Sequence, residues 1–457
     1  MQKLFDEVSS LDKKCYEKFK LNEDILMEHA SNGMAEFIKN KFNKNSKIIV
    51  VVGSGNNGAD GIALARILHT DYDVNIFYAK QPKSEMAILQ QQRANAIGVV
   101  ESKEIIQCDI LVDAIVGTGF SGEFDTNITD ILDKMNSLDA YKIACDIPSG
   151  YRFYADTTLT MGALKKDMFL DKHKDFIGDI QVLNLGISRS IYEDKTNWHL
   201  LDMDDLKLPF RDKKNTHKGS FGHLCVINGE KVGASTMCAL SAFRFGVGLV
   251  TLIGAKNDYI PFNIMYSTKL PLTTSAIAIG MGLGHEFCDT QLKKLLDNTY
   301  PLVADADIFH KHILVNILKR KNIVLTPHPK EFVIALQQLD LAEITIEELQ
   351  NNRFEYVKLF CENYPDATLL LKGANVIIGK NDSFFINPHG SSALSKGGSG
   401  DILSGLIGSL LAQGYEPLEA TINASLAHTK LAMNYKGANF SLTPDDLIQE
   451  ISNLASL

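Results

Sequence analysis

The residues best placed for chemistry fall into two sets. The first begins with Gly53-Ser54-Gly55-Asn56-Asn57-Gly58-Ala59-Asp60-Gly61. Glycines let backbone N–H groups converge on an anion, and a following helix adds its positive end. A tight strand-to-helix turn also uses glycine. Two adjacent asparagines exceed what a turn needs, since each amide both donates and accepts. Two more segments join an acid to glycine and hydroxyl residues: Asp113-Ala114-Ile115-Val116-Gly117-Thr118-Gly119 and Asp146-Ile147-Pro148-Ser149-Gly150. If each segment follows a parallel strand, Asn57, Asp113, Asp146 and Ser149 could converge on one sheet edge. Such weakly charged oxygen donors suit a cation. The competing reading makes either aspartate a helix cap.

The second set centres on Gly397-Gly398-Ser399-Gly400-Asp401-Ile402-Leu403-Ser404-Gly405. Amides that open an apolar helix, expected to run to Gln413, can hold a phosphoryl group during transfer. Asp401, expected one residue inside the loop, could take a proton from an attacking hydroxyl. Its plainer role is an acid at a helix start. Gly280-Met281-Gly282-Leu283-Gly284, Asp305, His328 and Lys372-Gly373-Ala374-Asn375 all stand where strands are expected to end. A lone histidine is more often structural, but Pro327 and Pro329 hold this one rigidly. A lysine beside glycine suits a nucleotide phosphate, or sits solvated in a hairpin.

Positioning these groups takes more than one core, and 457 residues are enough for two. Residues 5–43 read as helices. The β-branched run 47–52 reads as a buried parallel strand, and 62–68 as the helix after the glycine loop. Further strands are expected at 73–78, 110–116 and 142–146. The stretch 206–217 is polar and basic, carries Pro209 and is the linker candidate. Beyond it the pattern restarts, with strands at 223–228, 249–254, 276–280, 301–305, 323–326 and 368–372 and a helix at 234–245. Strands alternating with helices predict α/β domains, doubly wound, over 1–205 and 206–457. No repeat relates the halves.

Composition narrows the class. Hydrophobic residues make up 45% and charged residues 22%, an ordinary globular balance. A net charge of −9 with interspersed signs gives no global basic face, so no nucleic acid partner is expected. The cysteines Cys15, Cys108, Cys145, Cys225, Cys238, Cys288 and Cys361 are scattered and form no C-x-x-C pair. They read as buried free thiols in a reducing cytoplasm. The opening residues lack the apolar core of a signal peptide, and no apolar run approaches the ~18 residues of a membrane span.

In order, Leu26-Met27-Glu28-His29-Ala30, GSGNNGADG, DAIVGTGFSGEF, DIPSG and Thr158-Leu159-Thr160-Met161-Gly162-Ala163-Leu164-Lys165 resemble the NAD(P)H-hydrate epimerase domain over residues 1–200. The resemblance implies potassium ligands at Asn57, Asp113 and Ser149. It implies substrate contacts at Asn56, Asn57, Gly58, Ala59 and Asp60, at Gly117, Thr118, Gly119, Phe120, Ser121, Gly122 and Glu123, and at Asp146. Ala59 replaces a usual glycine and would add a methyl beside the phosphates. Tyr151 replaces a usual leucine.

From about residue 211 the chain resembles the ADP-dependent NAD(P)H-hydrate dehydratase, a relative of ribokinase-like enzymes. The carriers are KGSFGH, GMGLG, ADAD, TPHPKEF, LLLKGAN and GGSGD. Contacts to the hydrated cofactor would map to Ala234, Gly282 or Gly284, His328 and Asp401. Nucleotide contacts would map to Lys372, Gly373, Ala374, Asn375 and Val376, and to Gly398, Ser399 and Gly400. Met281 and Lys330 depart from the usual proline and glycine.

The implied fold is two three-layer α/β/α domains, Rossmann-like then ribokinase-like. The implied activity repairs hydrated NADH and NADPH: R and S NADHX and NADPHX interconvert, and the S form is dehydrated with ADP and Mg2+. Asp146 is the candidate for the proton transfers of epimerisation, and could instead bind the ribose or amide. The partners expected are these small molecules and further copies of the chain, with no membrane. The alternative is a ribokinase-like small-molecule kinase with a non-catalytic N-terminal binding module.

Overall fold

The computed structural model describes residues 1–120, 122–255 and 260–455. It divides into two compact units, Lys3–Thr196 and Asn197–Leu457, the second also holding Met1–Gln2. The division falls ahead of the expected boundary at 205/206. Trp198–Leu200 forms a strand beside Ser383–Asn387, and Trp198 stacks on Phe384 at 4.4 Å. The chain has therefore joined the second unit before the polar stretch 206–217, which is irregular.

In the first unit seven strands form one all-parallel sheet. Their spatial order is Val100–Glu101, Asp73–Tyr78, Lys47–Val52, Ile110–Ala114, Tyr141–Cys145, Thr157–Met161 and Asp179–Leu183. Alternate side chains of one strand show the layering. Ile48, Val50 and Val52 pack with Ile38, Ile62 and Leu68 on one face, while Ile49 and Val51 pack with Ile128, Leu132 and Met135 on the other. A strand buried on both faces needs the unbroken apolar run seen in its sequence. Strand order reverses between Lys47–Val52 and Ile110–Ala114, the switch point where open α/β sheets bind ligands. The expected helical stretch 5–43 is interrupted: helices Ser9–Lys14 and Glu23–Lys41 are separated by a π-helical turn that ends at Lys20 with φ 60°.

The second unit has the same three-layer build. Seven strands run parallel in the order Met265–Ser267, Leu249–Gly254, His223–Asn228, Ala276–Ile279, Leu302–Ala304, Ile323–Leu325 and Ala367–Leu371. An unforeseen antiparallel hairpin, Val376–Lys380 and Ser383–Asn387, extends the sheet. The helix Ser399–Ala412 is apolar on every side and almost wholly buried, which requires enclosure between the sheet and neighbouring helices. Six cysteines are buried and free. Cys288 departs from expectation: it is exposed, just before the helix Asp289–Leu295.

Candidate active sites

Asn56 and Asn57 are the first two residues of the helix Asn56–Leu68, so the glycine loop is shorter than its sequence suggests and both stand at the helix's positive end. Gly58 permits this turn, since a methyl there would sit 2.1 Å from the Gly53 carbonyl oxygen. Ala59 corrects an expectation. It is fully buried and packs with Met27 and Ala87, so its methyl faces neighbouring helices rather than a ligand.

Asn56, Asn57, Asp60, Gly117, Thr118, Gly119, Phe120 and Asp146 line one cleft of about 510 Å³, with Asp12, Met161 and Tyr192. Gly122 and Glu123 line a cleft of about 900 Å³ that shares Gly117, Thr118 and Phe120 with the first. Ser121 lies outside the described residues. Gly117 separates two reactive oxygens: a methyl on it would lie 3.4 Å from both Asn57 Oδ1 and Asp146 Oδ2. Asn57 Nδ2 is buried and finds no acceptor among the described residues. Leaving such a donor unmade costs about 1–3 kcal/mol, so the cleft favours a ligand that accepts.

Asp146 holds φ 69°, a left-handed backbone that non-glycine residues seldom adopt. Its Oδ1 accepts from the Met161 amide at 3.0 Å and from Lys165 Nζ, whose side chain is 2% exposed. Asp60 is pushed well above the carboxylate range by burial, with Asp146 and Asp12 adding to the effect. Asp113 is a different case. Its Oδ1 accepts from Ser149 Oγ at 2.6 Å and its Oδ2 from the Ser149 amide at 2.7 Å. No basic side chain bonds to it among the described residues, and burial raises its pKa to about 6. The Val116 amide in turn donates to Ser149 Oγ at 3.0 Å. Asp113 and Ser149 are thus in direct contact, with Asn57 across the following loop.

In the second unit, parallel neighbours place their carboxyl ends on one edge. Asp305 and Lys372 directly follow their strands, and the loop 280–284 and His328 lie just beyond theirs. Lys372 Nζ donates to Asp305 Oδ1 at 2.6 Å. The ion pair therefore turns this lysine inward rather than into solvent. Ser404 Oγ donates to Asp305 Oδ2 at 2.9 Å, and the Gly284 amide to Asp307 Oδ2 at 2.8 Å. Ala234 sits against Gly282, where an added methyl would lie 3.1 Å from its Cβ. Gly400 faces Lys372: a methyl there would be 3.2 Å from Nζ. Asn375 is buried and Val376 opens the hairpin strand Val376–Lys380, with Gly373 and Ala374 exposed ahead of them.

Asp401 corrects a second expectation. It lies in the first turn of the helix Ser399–Ala412, not in the loop, because Gly398 alone takes the left-handed turn at φ 94° and Ser399 is already helical. Burial raises its pKa to about 6; Asp305 adds to this and Lys372 opposes it. His328 caps the helix Pro329–Gln338: its Nδ1 accepts from the Glu331 amide at 3.2 Å, leaving the side chain 48% exposed. Burial brings the Glu331 carboxyl up to about 7.

Comparison with known proteins places both halves. Residues 23–169 match the family described as YjeF-related protein N-terminus, and residues 224–453 the family described as NAD(P)H-hydrate dehydratase. The bifunctional NAD(P)H-hydrate repair enzyme of Helicobacter pylori is 40% identical over 475 aligned positions, covering 99% of this chain and 100% of that one. This chain belongs to the bifunctional NAD(P)H-hydrate repair enzymes. A second member, from Dictyoglomus turgidum, is 31% identical and covers 97% of this chain and 96% of its own. A crystal structure of the ADP/ATP-dependent NAD(P)H-hydrate dehydratase of Bacillus subtilis, co-crystallised with ATP and Mg2+, is 28% identical with a TM-score of 0.47, covering 55% of this chain and 94% of that one. Among the described residues no helix is long and apolar enough to cross a membrane.

Reading the sequence by motif passed over Asp12 and Tyr192 of the first cleft and Lys165 of the second. Lys165 was present only as the end of a quoted segment. Asp12 and Tyr192 carried no motif, because they meet across 180 positions of sequence.

Proposed function

We propose that the first unit interconverts the R and S hydrates of NADH and NADPH and that the second dehydrates the S form with ADP. The observation that carries this reading is the pairing of two sheet-edge sites in a chain matched end to end by bifunctional repair enzymes. A kinase with a passive N-terminal module would leave the acid-lined first cleft without purpose.

In the second site hydroxide is a poor leaving group, so the substrate hydroxyl must be made a better one. Asp401, poised near neutrality, takes the hydroxyl proton as the oxygen attacks the terminal phosphoryl group of ADP. Gly398, Ser399 and Gly400, at the positive end of their helix, stabilise the charge on that group. AMP departs, the ring nitrogen then expels phosphate, and loss of a proton restores the nicotinamide double bond. Lys372 to Val376 hold the nucleotide, while Ala234, Gly282, Gly284 and His328 hold the hydrate. Among the described residues no trio of carboxylate, histidine or cysteine side chains gathers to hold a metal. Mg2+ arriving with the nucleotide would supply positive charge to offset that of its phosphates.

In the first unit the residues present fit a large monovalent cation. A buried carboxylate supported only by neutral dipoles offers one negative charge, and Ser149 and Asn57 add uncharged oxygens. That is too little charge for a calcium cage. Asn57, Asp113 and Ser149 would hold potassium, which would supply positive charge to fix the loops beside the substrate's phosphates.

The test is direct. Purified protein, NADHX, ADP and Mg2+ should regenerate absorbance at the NADH band, with AMP and phosphate as co-products. A stable phosphorylated product without NADH would transfer the assignment to the kinase.

A further inference from the structure

The first cleft has a wall made by segments outside the family-matched residues 23–169. Asp12 comes from the helix Ser9–Lys14 and Tyr192 from the short helix Arg189–Tyr192. Tyr192 Oη donates to Asp12 Oδ1 at 2.8 Å, and Lys14 Nζ donates to the Tyr192 carbonyl at 2.5 Å, so the two segments are tied. Tyr192 is 1% exposed, while Asp12 reaches the same cleft as Asp146.

The two carboxyls differ in their surroundings. Asp146 rests against the ammonium of Lys165 and the Met161 amide. Asp12 forms no ion pair among the described residues. Burial pushes its carboxyl up and Asp146 and Glu23 add to the effect, while the Tyr192 hydroxyl and Lys165 oppose it. Two carboxyls held in one cleft in such different settings can divide the roles of acid and base.

The substrate needs both. Water adds to an enamine with the hydroxyl on the carbon bonded to nitrogen, because protonation of the far carbon leaves an iminium there. The hydrated carbon therefore inverts if its hydroxyl leaves from one face and water returns to the other. We propose that Asp12 is a further catalytic acid of the epimerase, giving its proton to the departing hydroxyl while Asp146 receives a proton from the incoming water. This rests on the epimerase reading above.

The step balances. The C–O electron pair leaves with oxygen, which takes the Asp12 proton and departs as water. The ring nitrogen's lone pair becomes the second bond of a C=N. Water then forms a new C–O bond on the opposite face, the C=N pair returns to nitrogen, and the surplus proton passes to Asp146. Exchange with bulk water returns both carboxyls to their starting states.

The experiment starts from pure R hydrate without ADP, separates R from S by chromatography, and subtracts the rate without enzyme. Asp12→Asn should lower kcat by ~10²–10⁴-fold, with KM little changed. Asp12→Glu, which keeps the acid, should recover at least ~10-fold of that loss at an equal melting temperature, a recovery that a purely structural role would not give. In H₂¹⁸O the wild type should place one ¹⁸O in each S hydrate formed. Wild-type kcat in Asp12→Asn, equal loss in the Glu and Asn variants, or unlabelled S hydrate would each overturn the proposal while leaving the epimerase reading standing. A wild-type chain that does not interconvert the epimers would overturn the epimerase reading, and the role of Asp12 with it.

Discussion

Lys372 is not a free cation: its Nζ donates to Asp305 Oδ1 at 2.6 Å while Ser404 holds the other carboxylate oxygen at 2.9 Å. The ion pair aims the lysine at the helix start, where Gly400 leaves room for it. A charge-assisted contact to phosphate contributes about 1.5–3 kcal/mol. Lys372→Met should therefore raise the KM for ADP by roughly 10–100-fold. It also removes the cation that holds Asp401 down, so the acid limb of the rate profile should move to higher pH. Steady-state rates at several pH values check both.

Asp401 must be ionised to act as base. Burial raises its pKa to about 6, so the carboxylate is present above that value and lost below it. Dehydration of S hydrate should accordingly rise with pH through about 6 and level off. Asp401→Asn should cost ~10²–10⁴-fold and abolish that limb, while R-to-S conversion persists. A variant of near-normal rate would reduce Asp401 to a helix-start residue.

ADP should support dehydration better than ATP at equal concentration. The expectation comes from the resemblance to bacterial dehydratases. A clear preference for ATP would overturn it.

The Asp113–Ser149 pair predicts a cation effect. Burial raises the Asp113 carboxyl to about 6 with only neutral groups bonded to it, so a nearby positive charge would favour its ionised form. Epimerisation of R hydrate should be faster in potassium than in a bulky organic cation. Asp113→Ala should be slow in both, with dehydration of S hydrate unaffected. Equal rates for variant and wild type in potassium would make Asp113 a structural cap.

Much of this was legible in order of residues. The runs 47–52, 73–78, 223–228 and 249–254 are strands end to end as read: 47–52, 223–228 and 249–254 because strands buried on both faces leave nearly continuous apolar signatures, and 73–78 because Val74 and Ile76 alternate with more exposed residues. The glycine clusters marked strand ends, since only there must backbone approach backbone. Helix starts were less legible: Asn56 and Asp401 are already helical, and one left-handed glycine, Gly398, was enough where a loop was expected. The hairpin Val376–Lys380 with Ser383–Asn387 was missed, as was the strand Trp198–Leu200, whose pairing partner lies far away in sequence. Asp12 and Tyr192 could not be read at all, because their contact is a property of the fold rather than of any segment.

That last contact has a consequence for synthesis. Chains emerge N-terminus first, and contacts distant in sequence must wait for their later partner. Asp12 leaves the ribosome early, yet its phenol partner follows 180 residues behind. Until Tyr192 emerges, the glycine loop and both strand-end aspartates can be in place around a cleft whose far wall is untied. The epimerase site is then finished by nearly the last piece of its unit to be translated, and a nascent chain stalled short of residue 192 should carry the sheet without the activity.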